Sequence, residues 1–221
     1  MALATSSRSS SQLVGEPANP VGANLVLAVT GASGSIFAVA MLRALENDSR
    51  VDRVHLVVSP SALRVLAEEC GLGGRNSLIE RLLGNPSKKI TLLAHEDIGA
   101  PIASGSYPVS AMLVLPCSMG TLSGIAHGAA SNLIERAADV CLKERRRLVL
   151  CIRETPLSLI HIRNMAAATE AGATIFPIIP SFYNHPQNTE EIARNYVHRV
   201  LQHIGLPQPG AYTWGADQPL E

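Results

Sequence analysis

The chain has 221 residues, 47% of them hydrophobic and 16% charged, with 18 Lys and Arg balanced by 18 Asp and Glu. A neutral chain of this length can bury a core without disulfides or a structural metal, and it lacks the basic excess of a nucleic-acid binder. No run of 18 apolar residues is present to cross a membrane, so neither nucleic acid nor membrane is an expected partner.

Residues 1–23 are rich in Ser, Ala, Pro and Gly and hold Arg8 ahead of the first acid, Glu16. That composition predicts a disordered leader, with a cleaved organelle transit peptide as the alternative to a cytoplasmic chain. From Asn24 onward, short β-branched runs alternate with longer amphipathic stretches, the pattern of a parallel sheet covered by helices. Strands are predicted over 25–30, 54–59, 90–94, 111–115, 148–152 and 174–178, each too short and too apolar to face water on one side. Helices are predicted over 35–46, 60–70, 132–146, 159–171 and 189–204, with a short one at 78–83 in a Gly- and Asn-punctuated surface segment. Asn132 with Glu135, and Asn188 with Glu191, have capping-box spacing, and Gly172 and Gly205 stand where helices stop. One domain is expected over 24–206, followed by a tail over 207–221.

Cys70, Cys117, Cys141 and Cys151 form no C-x-x-C pair and lie in apolar or helical stretches, as buried thiols of a reducing compartment do. His198 and His203 are five apart and so turned off a common helix face. No metal site is expected.

Five segments carry chemistry. T-G-A-S-G, Thr30–Gly34, lies between a strand and a helix, where glycines allow a tight turn and helix N–H groups face an anion. It is a candidate phosphate cradle, short of the full dinucleotide fingerprint, and suits a mononucleotide such as FMN better than NAD. A tight turn without ligand remains the alternative. L-P-C-S-M-G-T-L-S, Leu115–Ser123, offers Ser118, Thr121 and backbone amides at a second strand end, where open α/β sheets bind ligands.

Arg136 and Lys143 are seven apart, which puts both on one helix face about 10 Å from each other, as a phosphate flank or as an ordinary solvated face paired with Glu135, Asp139 and Glu144. R-E-T-P, Arg153–Pro156, ends an apolar strand in an adjacent cation and carboxylate. If both are desolvated the arrangement is costly, which marks Glu154 as a candidate acid/base and Arg153 as a candidate clamp. P-S-F-Y, Pro180–Tyr183, presents an amphipathic ring with a hydrogen-bonding tip, or simple core packing.

Taken in order, T-G-A-S-G, A-S-G-S, P-C-S-M-G-T-L, N-L-I-E-R-A-A-D-V-x-L-K-E-R-R, R-E-T-P-L-x-x-I-H and P-x-F-Y-x-x-P-Q resemble the flavin prenyltransferase family, the UbiX-like proteins once described as aromatic-acid decarboxylases. The likeness runs from about Leu25 to Gly205. It implies a three-layer Rossmann-like or flavodoxin-like α/β enzyme, homo-oligomeric and often dodecameric, with FMN at a subunit interface. The implied reaction is metal-independent and joins a dimethylallyl unit from dimethylallyl phosphate to reduced FMN, at N5 and then C6. The implied product, prenylated FMN, is the cofactor of a partner UbiD-like decarboxylase.

Carried over by motif, Gly31, Ala32, Ser33, Ser59, Ser118, Met119, Gly120, Thr121 and Arg153 match the positions that hold FMN, and Ser104 lies in the matching A-S-G-S loop. Arg136, Lys143, Tyr183 and Arg199 match those that grip the prenyl phosphate. Glu69 and Glu154 match the acidic positions of the catalytic site. Trp214, in the tail, is a candidate cover for the site or for a neighbouring subunit. Cations around the departing phosphate would do the work of a divalent ion, and either Glu154 or the released phosphate would accept the C6 proton. Two other readings are an FMN-dependent cysteine-type decarboxylase of similar fold and a non-catalytic flavin carrier.

Overall fold

The computed structural model describes residues 22–215. Most of the expected leader, and the last six residues of the tail, lie outside it. Six strands, β1 (Ala23–Val29), β2 (Val51–Val58), β3 (Ile90–Leu93), β4 (Ala111–Cys117), β5 (Arg147–Ile152) and β6 (Thr174–Ile175), form one parallel sheet in the order β3-β2-β1-β4-β5-β6. The helices are α1 (Ser35–Asn47), α2 (Pro60–Cys70), α3 (Leu78–Leu83), α4 (Met119–Ala126), α5 (Leu133–Lys143), α6 (Leu159–Glu170) and α7 (Thr189–His203). This is the doubly wound arrangement, whose strand order reverses between β1 and β4 and leaves a crevice at the strands' C-terminal ends.

Alternation along β1 divides the core in two. Leu25, Leu27 and Val29 face one side, against Met41, Leu42 and Leu45 of α1 and Val197, Val200 and Leu201 of α7. Val26 and Ala28 face the other, with Leu122 of α4, Leu133, Ile134 and Ala138 of α5, and Ala168 of α6. With both faces covered, the strands carry unbroken apolar runs, and each fully buried Leu or Ile contributes roughly 1.5–3 kcal/mol of burial free energy.

Several boundaries differ from the sequence pattern. β1 begins at Ala23, the last residue assigned to the leader, because that residue is already buried and in the sheet. β6 stops at Ile175 although Phe176 and Ile178 still donate to Leu150 O and Ile152 O. Pro177 between them has no N–H to give. α5 ends at Lys143 instead of running to Arg146, since Arg145 turns left-handed (φ 57°) and Arg146 N closes back on Cys141 O. A short helix, α4, and a 3-10 turn at Pro101–Ala103 were not expected. The glycine-spaced sequence Met119–Ala126 hides the former.

The caps follow the sequence with one shift. Asn132 and Asn188 accept from Glu135 N and Glu191 N, but the two carboxylates reach Ser131 N and Gln187 N, one residue before the cap. Gly172 (φ 109°) and Gly205 (φ 86°) end α6 and α7 as expected. Cys117, Cys141 and Cys151 are buried and Cys70 is half-buried, all as free thiols, and burial pushes Cys141 up to about 11.

Candidate active site

Two loops meet at the C-terminal end of the sheet, and one buried side chain joins them. Thr30, 1% exposed, donates from Oγ1 to Pro116 O (2.9 Å) and accepts from Ser118 N (2.8 Å), which staples T-G-A-S-G to P-C-S-M-G-T. Sequence reasoning gave Thr30 no role of its own. Its position as the last residue before the first turn was the available signal. Ser118 then caps α4 through Thr121 N and meets the Thr121 hydroxyl at 3.2 Å. Ser59 caps α2 through Ala62 N and meets Ser61 Oγ at 3.0 Å.

Gly31 is required where it stands, because a Cβ there would lie 2.5 Å from Ser61 Oγ. At Gly120, on the first turn of α4, a Cβ would meet nothing within 4 Å. The cradle therefore combines close backbone approach at Gly31 with open space, hydroxyls and a helix start at Ser118–Thr121, and these residues fit a mononucleotide's ring and phosphate. Met119 is buried beneath it. Ala32 and Ser33 complete the first loop, where Ala32 N closes a tight turn on Thr30 O (2.8 Å).

The anion place at the start of α1, expected for a ligand phosphate, is taken from within. Glu69 of α2 accepts from Gly34 N (3.0 Å) and Ser35 N (2.7 Å). Burial opposes the charge on Glu69, but hydrogen bonds from Ser33, Ser35 and Gly34 outweigh it and hold the carboxyl below the usual range. The α1 terminus is thus already neutralised by the chain's own carboxylate.

Arg153 and Glu154 correct a second expectation. β5 ends at Ile152, its last buried residue, and both charged residues are exposed, so neither is desolvated within this chain. Arg153 is fixed by its backbone, N to Cys117 O (3.2 Å), and Glu154 Oε1 accepts from Thr155 N (2.9 Å).

The four residues matched to the prenyl phosphate do not converge. Arg136 Nη1 pairs with Asp139 Oδ2 at 2.7 Å and its Nε reaches Ala103 O, while Lys143 pairs with Glu144. These are the local pairings of a solvated face. Because α5 runs antiparallel to the strands, Lys143 lies near the starts of β4 and β5, beside Gly105, away from the cradle end. Arg199 and Tyr183 belong to the opposite face of the sheet, with α7 and the loop before it. Two layer spacings of about 10 Å separate the faces, so one copy of the chain cannot close all four residues on one phosphate.

Two structured places surround them. The A-S-G-S loop is pinned by Arg146, which donates to Gly105 O (2.6 Å) and Tyr107 O (2.9 Å), and by His55 Nε2 at 2.9 Å from Tyr107 Oη. Ser104 meets Ser106 there at 2.9 Å. Within the run Arg145–Arg147 no spacing distinguished Arg146, and the loop contact alone reveals it. On the other face, a cavity of about 750 Å³ is walled by Tyr183, Asn195, His198, Arg199, Tyr212 and Trp214 and floored by Phe176 and Tyr196. Tyr183 and Trp214 meet edge to face at 5.0 Å.

A family model described as Flavoprotein matches residues 15–200. The flavin prenyltransferase UbiX of Salmonella typhimurium is 43% identical over 187 residues, 84% of this chain and 93% of the relative. The chain belongs to the flavin prenyltransferase family. A crystal structure of the UbiX protein PadA1, in complex with FMN and dimethylallyl pyrophosphate, superposes at a TM-score of 0.79 with 39% identity, covering 87% of this chain and 97% of that one. A dodecameric FMN-dependent UbiX-like decarboxylase from Escherichia coli O157:H7 gives 0.78 with 41% identity, over 86% and 98%. An FMN-dependent cysteine decarboxylase, TvaF, at 16% identity and a TM-score of 0.53, shares the fold alone.

Proposed function

We propose that this chain joins the dimethylallyl group of dimethylallyl phosphate to reduced FMN, at N5 and then C6, and yields prenylated FMN for a UbiD-like decarboxylase. Membership of the flavin prenyltransferase family supports the reaction class, and the Thr30-stapled cradle is the observation in this chain that carries it. Ser59, Ser118, Thr121, the backbone of Gly31, Ala32 and Ser33, and the amides of Met119–Gly120 hold the flavin, with Ala32 N kept by its turn, and Arg153 clamps it from the end of β5. The reduced flavin, when bound, supplies the electron-rich nucleophile.

Tyr183 and Arg199 take the donor's phosphate, and Arg136 and Lys143 bring further positive charge. Fixed cations stabilise the charge that develops as the allylic C–O bond breaks, because their orientation is set before the reaction begins. The aromatic walls of the cavity exclude water and present π faces to a cation-like prenyl group. Glu154 accepts a proton at its carboxylate, with the departed phosphate as the competing acceptor. Since α5 and α7 lie on opposite faces of the sheet, the site is completed by residues of neighbouring copies. A homo-oligomer, a dodecamer like the E. coli protein, meets that need. We place the enzyme in the cytoplasm.

Mixing the protein with reduced FMN and dimethylallyl phosphate, then weighing the extracted flavin, tests this reading. Addition of one five-carbon unit with release of phosphate is expected. A carrier would return FMN unaltered, and a cysteine decarboxylase would ignore the prenyl donor. Running dimethylallyl diphosphate in parallel decides which donor the cavity accepts.

A further inference from the structure

After α7 the chain does not trail away. Leu206 is fully buried, and the next two residues are gripped at the base of the fold by Asp48 and Arg50, from the turn between α1 and β2. Arg50 Nη2 donates to Pro207 O (2.9 Å), and Gln208 Nε2 donates to Asp48 Oδ2 (2.8 Å) and to Leu206 O (3.0 Å). Asp48 is itself fixed, accepting from Arg50 Nε (2.9 Å), Nη2 (2.6 Å) and backbone N (3.0 Å). The side-chain bonds from Arg50 hold its carboxyl well below the usual carboxylate range, so the clasp stays charged through any ordinary buffer.

A reversal follows at once. Ala211 N donates to Gln208 O (3.2 Å) across Pro209 and Gly210, and Gly210 has φ +70°. Proline at the second position and a positive-φ glycine at the third are what a type II turn demands. Residues Ala211–Trp214 then run back beside α7, forming a wall of the 750 Å³ cavity opposite Asn195 and Arg199, and end with Trp214 on Tyr183.

We propose that Gln208, held by the Asp48–Arg50 clasp, and Gly210 are positioning residues that fold the tail over α7 and set Trp214 against Tyr183, completing the wall of the prenyl-donor cavity. They touch no substrate and act through Trp214. The assignment of the cavity to the donor rests on the functional reading above, whereas the placement of Trp214 does not. The clasp acts by direction more than by length. Leu206 would tether the tail in any case, but only fixing Pro207–Gly210 aims it up α7, and freeing two backbone residues is enough for about a tenfold weaker docking.

The test uses full-length protein and the fact that Trp214 is the chain's one tryptophan. Tryptophan fluorescence anisotropy reports how firmly the ring is held, and steady-state kinetics with reduced FMN report the KM for dimethylallyl phosphate. Gln208→Ala and Gly210→Val are both expected to lower the anisotropy and raise the donor KM about tenfold, with kcat and FMN affinity within about twofold of wild type. Gln208→Lys, which returns a donor to Asp48 on a stem of similar reach, is expected to restore both readings. Unchanged anisotropy in both variants overturns the proposal, and so does a fall in anisotropy with no change in KM. If the wild-type protein transfers no prenyl group, the functional reading fails while the anisotropy still decides where Trp214 is held.

Discussion

The cradle at the centre of the sheet and the charged rim around it are built on different terms. In the cradle the side chains are held by one another and by helix starts: Thr30 joins the two loops, Ser118 and Ser59 cap their helices, and Glu69 satisfies the start of α1. At the rim, Arg136 and Lys143 rest on neighbouring carboxylates, while Arg153, Glu154, Tyr183 and Arg199 are exposed. The hydroxyls and glycines of the cradle hang from adjacent strand ends, and Thr30 joins them. Arg136 and Lys143 on α5 and Arg199 on α7 lie on opposite faces of the sheet, in exposed or weakly paired states that cost little to rearrange.

Breaking the cradle is expected to have the largest effect. Thr30→Val removes the hydroxyl and leaves Ser118 N without its buried partner, while Pro116 O keeps the Thr30 backbone N–H (3.2 Å), for a loss of about 1–3 kcal/mol. A melting temperature lower by roughly 2–12 °C, with flavin binding lost, checks it calorimetrically. An unchanged melting temperature would place the join between the loops elsewhere.

Rim substitutions should act on the donor and spare the fold. Lys143→Ala and Arg199→Ala each remove a charge-assisted contact and are expected to raise the KM for dimethylallyl phosphate about 10–100-fold, with FMN affinity unchanged in titration. Equal losses in both affinities for Lys143→Ala would return that residue to its solvated-face pairing with Glu144. Glu154→Gln should keep flavin bound while slowing turnover, by about 10²–10⁴-fold if the carboxylate is the proton acceptor. Full activity in this variant would hand that role to the released phosphate.

The smallest effect falls within the cradle, at Glu69. Its folded-state carboxyl is held below the usual range, so its contribution to stability is present above the unfolded value and lost as pH falls through the folded one. Glu69→Gln should therefore melt about 1–3 °C below wild type at neutral pH, the difference shrinking below about pH 4.5. A gap that persists in acid would mean the amide differs by packing and not by charge.

What the sequence made legible was what local chemistry decides. Apolar runs between amphipathic stretches located all six strands, and Asn132, Asn188, Gly172 and Gly205 marked helix ends that the structure retains. Pro177 and Arg145 shifted boundaries through backbone effects that hydrophobic spacing does not register. Within the site, the turns at Gly31–Ser33 and Ser118–Thr121 were legible because hydroxyls and glycines at strand ends have few other uses. The Thr30 staple, the Arg146 hold on Gly105 and the capture of α1 by Glu69 were not, since each joins residues between 34 and 88 positions apart. The seven-residue spacing of Arg136 and Lys143 identified a helix face correctly but carried no information on which side of the sheet that face would lie.

The most direct measurement mixes two damaged enzymes. Lys143→Ala and Arg199→Ala are purified separately, unfolded, mixed in equal amounts and refolded so that copies of both kinds assemble together. If the donor site draws Lys143 from one copy and Arg199 from another, about one site in four in the mixed assembly holds both native residues, and prenyl transfer returns to about a quarter of wild type. Activity no higher than that of the two variants alone would contradict the account, by showing that each copy gathers both cations for itself.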